Sequence, residues 1–281
     1  MSDTRKLSPD AALALLAWYR EAGVDEAVQD QPANRLAASS ASSQPSQHGG
    51  ASAPQRAAAQ AGLPPGAAAG LSGAAGDPSD PVLSARERAR MAATLEELRN
   101  LLASFEGCPL RYTAKTLCFA DGNPAARVMF VGEAPGAEED LQGLPFVGRA
   151  GRLLDRMLAA IGLSRDSAYI ANIVYWRPPG NRTPTPQESQ ICRPFIERQI
   201  ALADPDVLVF LGGAAAKEML NRSDGILRLR GKWFDYDTGE RIIPALPTLH
   251  PAYLLRQPAQ KRLGWRDFLA IRARLDEQSA R

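Results

Sequence analysis

Three residues with side chains suited to acid–base chemistry or hydrogen-bond recognition each accompany a short apolar run. Glu133 and His250 come directly after such runs, and Asn172 lies inside another. A carboxylate and an imidazole are common general acids and bases, and an amide presents a donor beside an acceptor. If the runs are neighbouring strands, the three side chains meet at one edge of a sheet.

Each of these residues also has an ordinary structural interpretation. Glu133 in GEAPG (132–136) suits a solvated turn, Asn172 suits a strand end, and a histidine before proline is often structural. GEAPG lacks the G-x-G-x-x-G spacing and the GK[ST] ending of nucleotide-binding loops, so a nucleotide cofactor is disfavoured.

The elements that must position these residues alternate along the chain. Short β-branched runs separated by helical patterns predict an α/β fold, a three-layer α/β/α arrangement around a four-stranded parallel sheet. Ligands of such sheets bind outside the carboxyl ends of the strands. The predicted strands are 128–132, 169–174, 207–212 and 242–249, and the predicted helices are 85–104, 151–161, 186–203, 214–221 and 260–277.

Composition excludes several classes of protein. The 281 residues contain three cysteines, too few for a disulfide scaffold, and no apolar stretch long enough to span a membrane. The N-terminus has no apolar signal segment, so we expect a cytoplasmic protein. Because the net charge is only +2, any binding to nucleic acid requires a local basic face.

Three regions are predicted along the chain. Residues 1–30 contain a short helical segment, and residues 31–84 are dominated by Ala, Ser, Pro and Gly. Such a segment buries too little apolar surface to offset its ordering entropy and is predicted to be a disordered linker. Residues 85–281 form the catalytic domain. The N-terminal helix either packs on its own domain or, with the linker, tethers the chain to a protein partner, and we expect a monomer.

Six segments in order carry a resemblance to a known family. They are CPL (108–110), GNPAARVMFVGEAPG (122–136), PFVGRAG (145–151), NIVYWRPPGNR (172–182), CRPF (192–195) and HPAYLLR (250–256). Together they resemble the uracil-DNA glycosylase superfamily, most closely family 4. The resemblance implies a base-excision repair enzyme that flips uracil out of DNA and hydrolyses its glycosidic bond, leaving an abasic site.

The resemblance also implies roles for individual residues. Phe146 stacks on the uracil, Asn172 reads its N3–H and O4 beside Gly132 and Ala134, and His250 donates to its O2. Family 1 enzymes carry an Asp where this chain has Ala134. Since this chain lacks that carboxylate, another group must activate the water that attacks the sugar. The catalytic candidates for positioning water or stabilising the sugar are Glu133, Glu139 and Asn181.

On the DNA side, the superfamily places an apolar wedge four residues after the histidine, which is Leu254 here. Basic residues near the strand ends are candidates for phosphate binding, although each is also an ordinary surface side chain. They are Arg149, Arg152, Arg182, Arg256, Lys261 and Arg262.

Family 4 proteins hold a [4Fe–4S] cluster with four cysteines, and this chain departs from that pattern. Cys108 and Cys192 occupy two of the ligand positions, whereas Phe105 and Trp176 occupy the others. Since four thiolates are the usual requirement, we expect no cluster and no other cofactor. Cys118 is predicted to be a small buried side chain.

Two alternatives stay open. The superfamily branch that links covalently to DNA uses a histidine after the second strand, and the loop 177–186 contains none. A DNA-binding module without catalysis is the other alternative, although it would not need Glu133, Phe146, Asn172 and His250 together.

Overall fold

Residues 80–279 of a computed structural model are described, with Ser279 as backbone only. The predicted N-terminal helix and residues 31–79 of the predicted linker lie outside these residues. The predicted linker extends too far, to residue 84, because a helix already begins at Pro81. Asp80 caps that helix by accepting a hydrogen bond from the Val82 N–H at 2.8 Å.

One six-stranded sheet organises the described chain, in the order β1-β3-β2-β4-β6-β5. The four central strands are parallel, as the sequence predicts, and the two edge strands β1 and β5 run antiparallel to their neighbours. The two edge strands were not expected from the sequence. The strands are β1 Asp121–Gly122, β2 Val128–Gly132, β3 Tyr169–Asn172, β4 Val207–Leu211, β5 Phe234–Asp237 and β6 Ile242–Thr248.

The α-helices within residues 80–279 cover both faces of this sheet. They are α1 Pro81–Met91, α2 Leu95–Ala103, α3 Ala137–Gln142, α4 Arg149–Ala160, α5 Pro186–Ala203, α6 Gly213–Leu220, α7 Ile226–Leu229, α8 Pro251–Arg256 and α9 Lys261–Ser279. No helix in this part of the chain is both long and apolar enough to cross a membrane.

The single helix predicted over 85–104 is wrong, because the chain breaks between α1 and α2. Thr94 accepts a hydrogen bond from the Glu97 N–H, and the Glu97 carboxylate accepts one from the Ala93 N–H. This reciprocal capping starts a new helix at Leu95.

Alternate side chains of each central strand point to opposite faces, and each face has its own hydrophobic cluster. Met129 and Val131 of β2 pack towards α1, α2 and α5, whereas Val128 and Phe130 pack towards α4 and α9. Both clusters consist of buried residues, which confirms the three-layer arrangement. The rigid sheet between them fixes the positions of the loops at its carboxyl edge.

Candidate functional site

A cavity of about 520 Å³ opens at the carboxyl edge of the parallel strands. It is the place that the strand-end rule predicts for a ligand. Most of the predicted site residues line it together: Glu133, Ala134, Glu139, Phe146, Asn172, Asn181, Arg182, His250 and Arg256. The structure thus brings these residues together, and their roles stay predictions.

Asn172, the last residue of β3, is 1% exposed. Neither its side-chain nitrogen nor its side-chain oxygen has a hydrogen-bond partner among the described residues. Gly132 pairs with it in the parallel ladder, and a Cβ added at Gly132 would lie 2.4 Å from the Asn172 Oδ1. A buried amide without partners is costly, so this arrangement suits an amide that pairs with a bound ligand.

His250 presents a hydrogen-bond donor to the cavity. Its Nδ1 accepts the Ala252 backbone N–H at 3.1 Å at the start of α8. The ring proton of the neutral imidazole is therefore on Nε2. Burial, together with a smaller effect of the Arg256 charge and against the opposing charge of Glu139, lowers the pKa of His250 to about 4. The imidazole is thus neutral at physiological pH.

Phe146 is both a cavity residue and part of the core, whereas the sequence favoured the cavity alone. It is 5% exposed and packs with the cluster beneath α4 and α9. Its ring centroid lies 5.5 Å from that of His250, with the rings tilted by 31°. The ring is therefore held at the cavity wall by the core behind it.

The two candidate carboxylates differ in what binds them. Both oxygens of Glu139 accept backbone N–H groups, from Gly136 at 3.1 Å, Val147 at 3.0 Å and Gly148 at 2.9 Å. In contrast, Glu133 Oε1 is buried with no partner among the described residues, and burial raises the pKa of Glu133. Glu133 is therefore the carboxylate with an oxygen free to accept a proton.

Asn181 lies at the exposed mouth of the cavity in a left-handed conformation, with φ +55°. Its Oδ1 accepts a hydrogen bond from Arg177 Nε at 2.7 Å, a partner that the sequence did not identify. Because its oxygen is occupied, the side-chain nitrogen of Asn181 is the group that remains available to donate to a ligand. The structure brings Asn181 to the same cavity as Glu133 from a different loop.

Leu254, the predicted DNA wedge, is buried in this structure rather than placed at the surface. Leu254 is 1% exposed and packs with Leu153 and Leu249, and its Cδ1 lies 3.1 Å from a Cβ built on Gly264. Its neighbours Tyr253 and Leu255 are partly exposed. The side of α8 that carries Leu254 points inwards because α4 packs against it.

The basic candidates fall into two groups. Arg149, Arg256, Lys261 and Arg262 are exposed, and none forms an ion pair within residues 80–279. Arg182 instead binds Glu188 through both terminal nitrogens, at 2.8 and 2.7 Å. Arg152 is within 3.7 Å of Glu138. The first group has charge available for phosphates, whereas Arg182 already has a carboxylate partner.

The residues at the predicted cluster position do not fit a [4Fe–4S] cluster. The Sγ atoms of Cys108 and Cys192 lie 3.9 Å apart and hydrogen-bond each other in a buried site. Phe105 packs on Phe195 with 5.2 Å between ring centroids, and Trp176 is buried. Two thiols beside two packed aromatic rings do not supply the four thiolates that such a cluster usually needs. No group of three metal-ligating side chains occurs in the described chain.

Cys118 is fully buried, as predicted. Its Sγ donates to the Glu139 carbonyl oxygen at 3.1 Å, and burial raises its pKa to about 12. This thiol therefore stays protonated and supports the start of α3 rather than acting as a nucleophile.

Comparison with known proteins identifies the relatives of this chain. The model of the uracil DNA glycosylase superfamily matches residues 119–270. A type-4 uracil-DNA glycosylase of Thermotoga maritima is 42% identical over 168 residues, covering 58% of this chain and 86% of the relative. One of Archaeoglobus fulgidus is 38% identical over 182 residues, covering 63% of this chain and 92% of the relative.

The protonation state of His250 can be measured directly. An ordinary imidazole titrates with a pKa of about 6.5, whereas His250 should stay neutral, with its proton on Nε2, down to about pH 5. Long-range ¹H–¹⁵N correlation spectra across this range measure both properties, and His48→Ala assigns the signals. A proton on Nδ1, or titration near the ordinary value, would contradict the geometry.

Proposed function

This chain belongs to the uracil DNA glycosylase superfamily, and we propose that it excises uracil from DNA and leaves an abasic site for base-excision repair. The names of its relatives support this activity. The observation that carries it is the buried, unpartnered Asn172 amide at the wall of the cavity. Among the described residues, Asn172 is the one cavity side chain whose donor and acceptor both lack a partner.

Recognition depends on the edge of the flipped base. The Asn172 oxygen accepts the uracil N3–H, and its nitrogen donates to O4, whereas cytosine presents the reversed pattern. Phe146 provides an apolar surface on which the base stacks. Since the cavity excludes bulk water from Asn172, a wrong base leaves buried polar groups unpaired, at about 1–3 kcal/mol.

Bond cleavage requires stabilisation of negative charge on the departing uracil. The glycosidic electron pair leaves with the base, and the His250 Nε2–H donates to the developing negative charge on O2. A neutral donor suits this step because it stabilises the anion without an imidazolium charge. Removing one preorganised donor of this kind typically costs about 10²–10³ in rate.

The sugar cation must be captured by water. Glu133 accepts a proton from the water that adds to C1′, and its negative charge stabilises the cation before that addition. Its raised pKa makes ionised Glu133 a better base, although ionisation is lost at a higher pH than for an ordinary glutamate. Asn181 orients the water or the sugar from the cavity mouth. Glu139 is occupied by the backbone and takes no part in proton transfer.

The activity test is alkali-induced strand cleavage at a single uracil in an oligonucleotide. His250→Ala should lower kcat by about 10²–10³, and Asn172→Ala should lower kcat/KM by about 5- to 150-fold. Asn100→Ala on the exposed side of α2 is the matched control and should leave both unchanged. Wild-type protein that binds DNA without cleaving it would instead support the non-catalytic DNA-binding module.

We also propose that the exposed residues Arg149, Arg256, Lys261 and Arg262 bind DNA phosphates. Arg149 begins α4, and Arg256 ends α8, which packs on α4. Lys261 and Arg262 begin the next helix after a short turn. These three helix ends thus bring unpaired positive charge to the side of the molecule where Arg256 lines the cavity. Contacts to phosphates position the duplex without reading its sequence.

Charge reversal tests this basic face. Arg256→Glu with Arg262→Glu should weaken duplex binding and reduce the salt dependence of log K by about 0.9 for each lost phosphate contact. Arg86→Glu with Arg90→Glu is the control, since both residues are exposed on α1 in the opposite layer. Equal losses in the two double variants would place the DNA elsewhere.

Catalysis in this chain is proposed to need no iron–sulfur cluster. The contact between the Cys108 and Cys192 thiols and the packing of Phe105 support that view. Burying a large apolar side chain stabilises a fold by about 1.5–3 kcal/mol. The burial of Phe105 and Trp176 therefore offsets part of the stability that a bound cluster would contribute.

Iron analysis of protein purified without oxygen tests the missing cluster. We expect substoichiometric iron, full uracil excision and no effect of a chelator on either stability or activity. Cys108→Ser removes one remaining thiol and should change none of these iron-related results. Stoichiometric iron in the wild type that disappears in Cys108→Ser would contradict the proposal.

In the cell, we propose that the chain acts as a monomer in the cytoplasm. Partner binding through residues 1–84 stays a prediction, because nearly all of that segment lies outside the described residues.

A further inference from the structure

Phe146 has an unusual backbone conformation. Its φ is +55°, in the left-handed region that disfavours side chains with a Cβ. The other described non-glycine residues with positive φ are Asn181, Asp204 and Asn221, whose types visit this region readily. A bulky aromatic does so only when its surroundings hold it there.

Arg165 holds the carbonyl side of this turn. Its Nη1 donates to the Pro145 oxygen at 3.2 Å, and its Nη2 donates to the Phe146 oxygen. The guanidinium is oriented in turn by Asp155, whose Oδ1 accepts from Nε at 2.8 Å, and by Asp121 of the edge strand β1. A planar fork can bind two adjacent carbonyl groups and two carboxylates at once, which an ammonium cannot.

Glu139 holds the amide side of the same turn. Its Oε1 accepts the N–H groups of Val147 and Gly148, the residues that follow Phe146. Gly151 closes the remaining space, because a Cβ there would lie 1.6 Å from the Phe146 carbonyl oxygen. The peptide groups on both sides of Phe146 are therefore fixed by side chains that come from different elements.

We propose that Arg165, oriented by Asp121 and Asp155, is a positioning residue that keeps Phe146 in its left-handed conformation and its ring at the cavity wall. Arg165 does not line the cavity, so it acts only through Phe146. The consequence for catalysis rests on the proposed function, in which Phe146 stacks on the base. Glu139 acts in the same way from the opposite side, which explains why its oxygens are occupied.

The conservative variant Arg165→Lys keeps the charge and removes the fork. We expect kcat/KM for uracil excision to fall about 10- to 100-fold, since small misplacements of a binding group have effects of this size. Arg193→Lys is the matched control: Arg193 is 26% exposed against 24% for Arg165 and also faces two carboxylates, Glu197 and Glu218. It should leave kcat/KM unchanged.

A double-mutant cycle with Phe146→Ala separates positioning from a general structural role. If Arg165 acts through Phe146, Arg165→Lys should have almost no further effect once the ring is gone. If the fold losses in kcat/KM of the two single variants multiply fully in the double variant, the proposal is overturned. If the wild type excises uracil and Arg165→Lys has the same kcat/KM, the positioning role of Arg165 is wrong and the proposed function stands. A wild type that does not excise uracil would contradict the proposed function itself.

A crystal structure of Arg165→Lys tests the positioning role of Arg165 without reference to activity. We expect the φ of Phe146 to leave the left-handed region and the ring to move away from His250. Retention of the same φ and ring position would contradict the proposal, whatever the kinetics of the protein.

Discussion

The site depends on a buried amide that the protein itself leaves unpaired. Asn172 is almost fully buried at the end of a central strand, and both of its polar side-chain atoms lack partners in the described chain. Such an arrangement reduces stability unless a ligand completes it. Gly132 on the neighbouring strand leaves room for it, since a side chain there would collide with both Asn172 and Phe146.

The neighbours of Asn172 are ordered by backbone contacts rather than by each other. The Ala252 N–H fixes the tautomer of His250, and a network of charged side chains fixes the turn at Phe146. Besides Asn172 itself, Glu133 is the cavity residue that keeps a buried side-chain oxygen without a partner among the described residues. In the proposed function, recognition, charge stabilisation and proton transfer are divided among residues that different parts of the chain bring to one edge of the sheet.

The sequence predicts the four central parallel strands, because these depend on local pattern. Uninterrupted apolar runs mark buried parallel strands, and α5 has the predicted bounds because Thr185 caps it just before Pro186. Glu133, Asn172 and His250 meet because carboxyl ends of parallel strands share one edge.

The remaining features depend on contacts between distant parts of the chain. Leu254 is buried because Leu153 and Leu249 pack around it, which its own segment does not indicate. Arg165 lies 19 positions after Phe146 in the chain and is oriented by an edge strand of two residues. The break between α1 and α2 had a local signal, the Thr94–Glu97 capping pair, but no glycine or proline to make it prominent.

The most direct test of the central claim is an NMR titration of the Asn172 side-chain amide with free uracil and free cytosine. The account predicts that uracil shifts the Asn172 amide signals and slows exchange of its protons, and that cytosine at the same concentration does neither. Unchanged signals with uracil, or equal changes with both bases, would contradict it.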